Sequence, residues 1–388
     1  MAHAPGRILT THAGSLPRPR SLVSLHKAAF DGKEVEASVM AQAVEEATRT
    51  IIQKQVDARI DIVNNGEVGR ESFFTYVRHR MTGFGGSSTR PIMADLLRYP
   101  GSLERRRQAL GSDERVDLLR APQAIGEVRY VNAEPIEQET AQLRRLLSDT
   151  TGAGQRAFVS APSPGIIAAA MQNAHYHDLP SYVSALGEAL RTEYQAIARA
   201  GFTLQIDAPD LALERHTLFQ DKPLDEFLAF VRVVVAAINR ALEGIPQEQV
   251  RLHVCWGNYE GPHDCDVPLE EIWPDVSQIH TGAYMLSMAN PRHAHEYRLF
   301  KDPAFLGDRV LIPGVIETTT NYIEHPEVVA DRLERIAEAV GDPARIVAGT
   351  DCGFETAAGS KMVIEEVVWA KLRALSEGAA IASQRLFG

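Results

Sequence analysis

Short apolar runs recur along the chain, each ending in, or followed directly by, a turn-forming or polar residue. Most are followed by a longer stretch with apolar residues three and four apart. The first pattern reads as buried strands and the second as amphipathic helices. The strand-like runs are 8–15, 60–66, 156–161, 202–207, 251–256, 278–286, 310–316 and 346–350. Helical spacing covers residues 36–58 through Val39, Ala43, Val44, Ala47, Ile51, Ile52 and Val56. It returns over 181–200, 223–243, 268–273, 291–300, 325–340 and 360–376. Eight strand-to-helix alternations predict an α/β fold, a (β/α)8 TIM barrel, with a doubly wound sheet as the alternative.

Residues 70–155 break the rhythm. They are rich in Arg and Glu, with a local strand candidate at 125–131. We expect an inserted excursion with helices and a hairpin, inside one domain spanning 1–388. In a (β/α)8 barrel the chemistry sits at the C-terminal ends of the strands. Those ends carry Ser15, Asn64 to Glu67, Ser163, Asp207, His253, Cys255, Leu286 to Met288, Glu317 and Cys352.

Composition narrows the partners. The formal net charge is -11, and no Lys/Arg block stands out, which argues against nucleic acid or an anionic membrane. No apolar run is long enough to span a bilayer, and the N-terminus lacks the apolar core of a signal peptide. The three cysteines, Cys255, Cys265 and Cys352, are far apart and odd in number. They form no disulfide framework and fit a reducing cytoplasm. Nothing in the sequence marks an oligomer interface.

In Arg251-Leu252-His253-Val254-Cys255-Trp256, His253 and Cys255 are two apart and so leave one face of a strand. The pair is either a buried Cys beside a satisfied His or half of a zinc site. Cys352, in Gly349-Thr350-Asp351-Cys352-Gly353, is the best partner for the second reading. Three protein ligands with an open position make a catalytic zinc site, and thiolate ligands suit a substrate thiol as the fourth. Zinc lowers the pKa of such a thiol, and the chemistry implied is its alkylation.

Other candidates are weaker. His263-Asp264-Cys265 repeats the His-x-Cys spacing inside a Gly/Pro loop. Glu67 and Asp207 are carboxylates at strand ends that need a partner, which could be a ligand amine, an arginine or a backbone cap. His12, beside the first turn, is a candidate proton donor; His280 is a core or second-layer residue or a second proton donor. Asn290-Pro291 reads as the start of a helix.

These residues, in this order, resemble the catalytic barrel of cobalamin-independent methionine synthase. The likeness covers most of the chain. It is sharpest at Thr10-Thr11-His12-Ala13-Gly14-Ser15-Leu16-Pro17, Gln205-Ile206-Asp207, His253-Val254-Cys255 and Asp351-Cys352-Gly353. The resemblance implies Zn2+ on His253, Cys255 and Cys352, with homocysteine as the thiol and a methylated folate as the donor. It also implies that Ser15, Glu67 and Asp207 face the thiol substrate, the two carboxylates holding its amino group.

Three departures stand out. The family's zinc Glu falls at Ser287, which leaves three protein ligands, or Glu296 or water as the fourth. Its Asp-Glu-Pro is here Asp207-Ala208-Pro209, and its catalytic His after the seventh strand is replaced near Glu317-Thr318-Thr319. The full-length synthase also has an N-terminal barrel with no counterpart here. Short single-barrel relatives include epoxyalkane:coenzyme M transferases, where a zinc-activated thiol opens an epoxide. In that alternative His12, His280 or a water must protonate the alkoxide. The preferred reading is a zinc-dependent methyltransferase acting on a thiol; methylated folate, a methylated cofactor protein and an epoxide stay open as donors. A uroporphyrinogen-decarboxylase-like barrel and a non-catalytic barrel are further alternatives.

Overall fold

The computed structural model describes residues 6–110, 115–151 and 156–388. Its main sheet has eight strands: β1 (Leu9–Thr10), β2 (Ile62–Val63), β3 (Arg156–Pro162), β4 (Thr203–Asp207), β5 (Val250–Val254), β6 (Ala283–Ser287), β7 (Val310–Ile316) and β8 (Val347–Thr350). All neighbours are parallel, in the order β1-β8-β7-β6-β5-β4-β3-β2. The two ends of that sheet meet through side chains. Thr11 Oγ1 donates to the Ile62 carbonyl at 3.0 Å, and the Thr10 N–H donates to Asp61 Oδ2 at 2.9 Å. The result is the expected (β/α)8 barrel.

Alternation along each strand sorts the side chains. Leu204, Ile206, Leu252, Val254 and Leu286 face outwards and join the layer between sheet and helices. Leu9, Ile62, Phe158, Met285, Ile312 and Val347 fill the barrel axis. The helices that cover the sheet are Ala37–Asp57, Leu179–Arg199, Leu224–Ala241, Leu269–Val276, Pro326–Val340 and Glu365–Phe387, close to the expected spans except for the last, which was expected at 360–376 and runs on to Phe387. None of the described helices is long and apolar enough to cross a membrane.

Two expectations are corrected. Residues 291–300 form turns and a 3-10 helix at Glu296–Lys301, not an α-helix. Asn290 and His293 are committed to side-chain contacts that bend the backbone: the Asn290 N–H donates to Asp351 Oδ2, and the His293 ring stacks on Trp256 at 3.7 Å. Within 70–155 the hairpin pairing is Phe84–Gly85 with Gln123–Ala124, just ahead of the 125–131 run. Ile125 and Val131 of that run stay exposed while Val128 and Tyr130 pack inwards, and the run's pairing is limited to an isolated antiparallel bridge of Tyr130 with Met81. The excursion also contributes helices Ala94–Arg98, Pro100–Leu110 and Glu134–Asp149. Helix Arg20–Phe30 follows β1 and was not anticipated.

Candidate metal centre and substrate cavity

The C-terminal end of β5 carries the centre. His253 faces the barrel axis in register with Asp207 of β4, and Cys255 follows two residues on. Cys352 arrives in the turn after β8. Its Sγ lies 3.9 Å from Cys255 Sγ, and ligand atoms of His253, Cys255 and Cys352 all lie within 4.8 Å of one another. Tetrahedral zinc with bonds of about 2.0–2.3 Å needs ligand atoms roughly 3.3–3.8 Å apart. The donor set therefore fits zinc with only small adjustments. Gly353 is required beside it: a Cβ there would meet Ser15 Oγ at 2.0 Å.

Around the triad the charges are already arranged. Asp207 Oδ1 accepts from His253 Nδ1 at 2.9 Å and from Gln205 Nε2 at 2.7 Å. The other ring nitrogen, Nε2, lies 3.2 Å from the Asp351 carbonyl and is the atom that would ligate a metal in place of that contact; such carboxylate–histidine pairs orient metal ligands. Burial alone would lower the His253 pKa, but the Cys255 thiolate and Asp207 raise it to about 10. A hydrogen bond from Cys352 holds the Cys255 thiol well below its usual value. The same bond and burial push Cys352 up, so without metal the pair keeps one proton.

Beneath the triad lies a polar layer that the sequence reading passed over. Arg251 is fully buried inside the barrel. It donates to Gln205 Oε1 at 2.7 Å, Thr11 Oγ1 at 3.0 Å and the His12 carbonyl at 2.9 Å, and lies over the Phe158 ring at 3.5 Å. A buried charge is costly unless so satisfied. Burial brings its pKa down to about 9, against the opposing pull of Asp207. The signal was present in the sequence: Arg251 is two residues before His253 and shares its face.

Glu67 sits in the turn after β2 with a φ of 57°, a left-handed conformation unusual for a residue with a side chain. The turn is held from several sides. The Asn64 and Asn65 side chains accept from the Gly66 and Glu67 N–H groups, and Arg18 donates to the Glu67 carbonyl. Gly14 makes room, since a Cβ there would meet Glu67 Oε1 at 2.2 Å. Oε1 accepts from Ser160 Oγ at 2.7 Å, while Oε2 is buried without a hydrogen-bond partner. Burial, with Asp207 nearby, pushes the Glu67 pKa up to about 7.

A cavity of about 430 Å³ opens over the triad, within the range of small-molecule sites. Ser15, Glu67, Asp207, His253, Cys255 and Cys352 all line it, so the structure brings these six sequence candidates together. Phe73, Phe74, Met93, Leu96 and Leu103 from the 70–155 excursion supply much of its apolar wall.

The two proposed proton donors do not join them. His12 is buried and fully engaged: its Nδ1 accepts from the Gly14 N–H at 3.2 Å and its Nε2 pairs with Gln55 Oε1 at 2.8 Å. Burial takes its pKa down to about 4, so it is a neutral structural imidazole. His280 is exposed in the loop that leads into β6, the N-terminal end of the barrel, opposite the cavity. Replacing His280 with Ala should leave metal content and turnover unchanged; a tenfold fall in kcat/KM would contradict this placement.

The alternative fourth ligands are also occupied. Ser287 Oγ donates to the Asp351 carbonyl at 2.8 Å. Glu296 accepts from the Leu269 N–H at 2.7 Å and pairs with His293 at 2.9 Å. His263 and Cys265 stay outside the triad. His263 instead joins His293 on Asp266 Oδ2, at 2.8 and 2.7 Å, while His216 lies 3.0 Å from Oδ1. This cluster anchors the loop after β5. Burial disfavours the His293 charge, but Asp266 and Glu296 raise its pKa from 6.5 to about 9. The cluster's stabilisation is therefore complete below pH 6.5 and fades as pH rises through 9, by on the order of 3 kcal/mol. Thermal melts from pH 6.5 to 9.5 should show this loss, and His293→Gln should flatten it.

Comparison with known proteins agrees with this architecture. The family model of the cobalamin-independent synthase catalytic domain matches residues 118–373. A methionine synthase of Saccharolobus solfataricus is 24% identical over 97% of this chain and 95% of its own length. One of Thermococcus kodakarensis is 25% identical over 97% and 94%. A B12-independent methionine synthase from Shewanella sp. W3-18-1, solved in complex with selenomethionine, shares the fold with a TM-score of 0.73, at 23% identity over 98% of this chain and 99% of that one. The matches thus cover nearly the whole length of these curated relatives. With eight parallel strands closed around a buried His–Cys–Cys triad and two thirds of its length matching the family model, the chain belongs to the family of the cobalamin-independent synthase catalytic domain.

Proposed function

We propose that the chain transfers a methyl group to the sulfur of a small amino thiol of the homocysteine type, with zinc held by His253, Cys255 and Cys352. The observation that carries this reading is the convergence of the triad and Glu67 on one cavity, with Glu67 Oε2 buried and unpartnered. A zinc ion so held lowers the pKa of a substrate thiol, which makes the thiol nucleophilic at neutral pH. Asp207 fixes the His253 ring. Glu67 receives the ammonium group, which would satisfy the free carboxylate oxygen, and Ser15 lines the same floor. The apolar wall keeps water from the reacting sulfur.

Similarity to methionine synthases favours methyl transfer over epoxide opening, and a methylated folate is the donor to test first. His12 and His280, the acids considered for epoxide opening, are both out of position. We take residues 1–388 to work as one catalytic unit, and the reduced thiols of the triad fit a cytoplasmic setting.

The test is zinc titration of metal-free protein, followed by homocysteine consumption with 5-methyltetrahydrofolate. One zinc per chain and methionine formation are expected. A protein that takes up no zinc, or consumes the thiol only with an epoxide, would overturn the proposal.

A further inference from the structure

Neither Arg251 nor Gln205 is among the cavity-lining residues, yet one hydrogen-bonded chain joins them to the metal centre. Arg251 is pinned in the barrel by Thr11, the His12 carbonyl and the Phe158 ring. A guanidinium has donors and no acceptor. Its Nε–H donates to Gln205 Oε1 at 2.7 Å, and that bond can run in no other direction. It fixes the orientation of the Gln205 amide. Gln205 Nε2 then spends its two hydrogens on the Ala13 carbonyl and, at 2.7 Å, on Asp207 Oδ1. A flipped amide would set its oxygen against two acceptor oxygens and its NH2 group against the guanidinium. Asp207 Oδ1 is thereby held as an acceptor, and it takes its second bond from His253 Nδ1 at 2.9 Å. The proton of the imidazole is kept on Nδ1, and Nε2 is left to a metal.

We propose that Arg251 is a positioning residue for the metal centre: through Gln205 and Asp207 it sets the direction of each hydrogen bond in the chain and so fixes which nitrogen His253 offers to the metal. The inference rests on the proposed function, in which His253 is a ligand. It distinguishes substitutions of similar size. A lysine at 251 also has donors only, so it preserves the direction of the chain. A glutamine there can present its own oxygen to Gln205 Nε2, and the Gln205 amide is then free to flip. The same logic holds one link further on. In Gln205→Glu the new carboxylate, kept ionised beside Arg251, still accepts from the guanidinium but has no hydrogen to give Asp207.

The experiment is titration of the metal-free full chain with Co2+, followed by proton NMR of the loaded protein in H2O and in D2O. A histidine bound to Co2+ through Nε2 shows a strongly shifted, exchangeable Nδ1–H resonance, and a carboxylate partner slows its exchange. The wild type should show one such resonance. Arg251→Gln and Gln205→Glu should each weaken Co2+ binding by about 10–100-fold, the usual effect of removing a partner behind a metal ligand, and should speed the exchange of that resonance or abolish it. Arg251→Lys should keep the slow resonance and stay within about fivefold of the wild-type affinity. Melting temperatures report the folding of each variant. A merely structural role for Arg251 would lower the melting temperature and leave the resonance in place. A slowly exchanging resonance in either Arg251→Gln or Gln205→Glu, or its loss in Arg251→Lys, would overturn the positioning role. Co2+ uptake by the wild type without this resonance refutes only the positioning role; no Co2+ uptake removes the metal reading and this inference with it.

Discussion

Replacing Cys352 with alanine is expected to lower zinc affinity by at least about 100-fold and to abolish methyl transfer. His253 and Cys255 come from one strand, so β5 alone supplies only two donors. The third comes from the turn after β8, 97 residues further along the chain. Without it the remaining pair cannot enclose a metal, and the Cys255 thiolate also loses the hydrogen bond that stabilises it. The fold should survive, because the lost group is one sulfur beside a cavity. Competition with a chromophoric chelator measures the affinity, and circular dichroism checks the fold. Cys265→Ala is the control: its Sγ lies 3.8 Å from Asp264 Oδ1, outside the triad, and zinc binding should be untouched. Wild-type zinc affinity in Cys352→Ala would remove the basis of the metal assignment.

Glu67→Gln is expected to raise KM for the amino thiol by about 10–100-fold, in line with the ~1.5–3 kcal/mol of a hydrogen bond to a charged group. The amide keeps the size of the side chain and an acceptor for Ser160, so only the charge is lost. The wild-type pH profile offers a second readout. Burial, then Asp207, raises the Glu67 pKa to about 7 in the free protein. An ammonium ligand binds the ionised form, so affinity is full above pH 7 and falls as pH drops through it. In the wild type kcat/KM should decline about tenfold per pH unit below 7, and in Glu67→Gln this limb should vanish. A KM that does not change, or an acid limb that persists in the variant, would show that Glu67 does not hold the amine.

These two residues also show how differently parts of the site were legible. His253 and Cys255 could be paired from strand periodicity alone, because residues two apart on a strand share a face whatever surrounds them. Arg251 obeys the same rule and was readable for the same reason. Glu67 was legible as a carboxylate at a strand end, but its need for a partner became specific only in three dimensions. One oxygen meets Ser160 of β3 and the other meets nothing. Asp207 was expected to face the substrate. The structure gives it a second task, holding His253 Nδ1, because register places β4 Asp207 beside β5 His253.

The misplaced candidates mark the limit. His12 and His280 are titratable residues near strand-like runs, and their surroundings could not be read from spacing. His12 is tied to Gln55, from the helix Ala37–Asp57, and His280 falls before β6 begins rather than within it. A strand boundary moved by a few residues carries a side chain from one end of the barrel to the other. The cavity roof was invisible too, since the 70–155 excursion has no clean period and its packing over the barrel mouth is set by contacts with the loop after β5.

The sequence by itself determined the eight alternations, the sorting of side chains inward and outward, and the chemical types at the strand ends. Those are local properties, fixed by residue type and by the periods of strand and helix. Only the tertiary structure decided which ends meet: that Cys352 closes on Cys255, that Glu67 keeps an unpaired oxygen at the same cavity, and that Phe73, Phe74 and Leu103 of the excursion wall it. Closing a sheet into a barrel brings together residues about a hundred or more positions apart. No periodicity encodes their distances, which come from strand register and from the volume of the side chains packed between them.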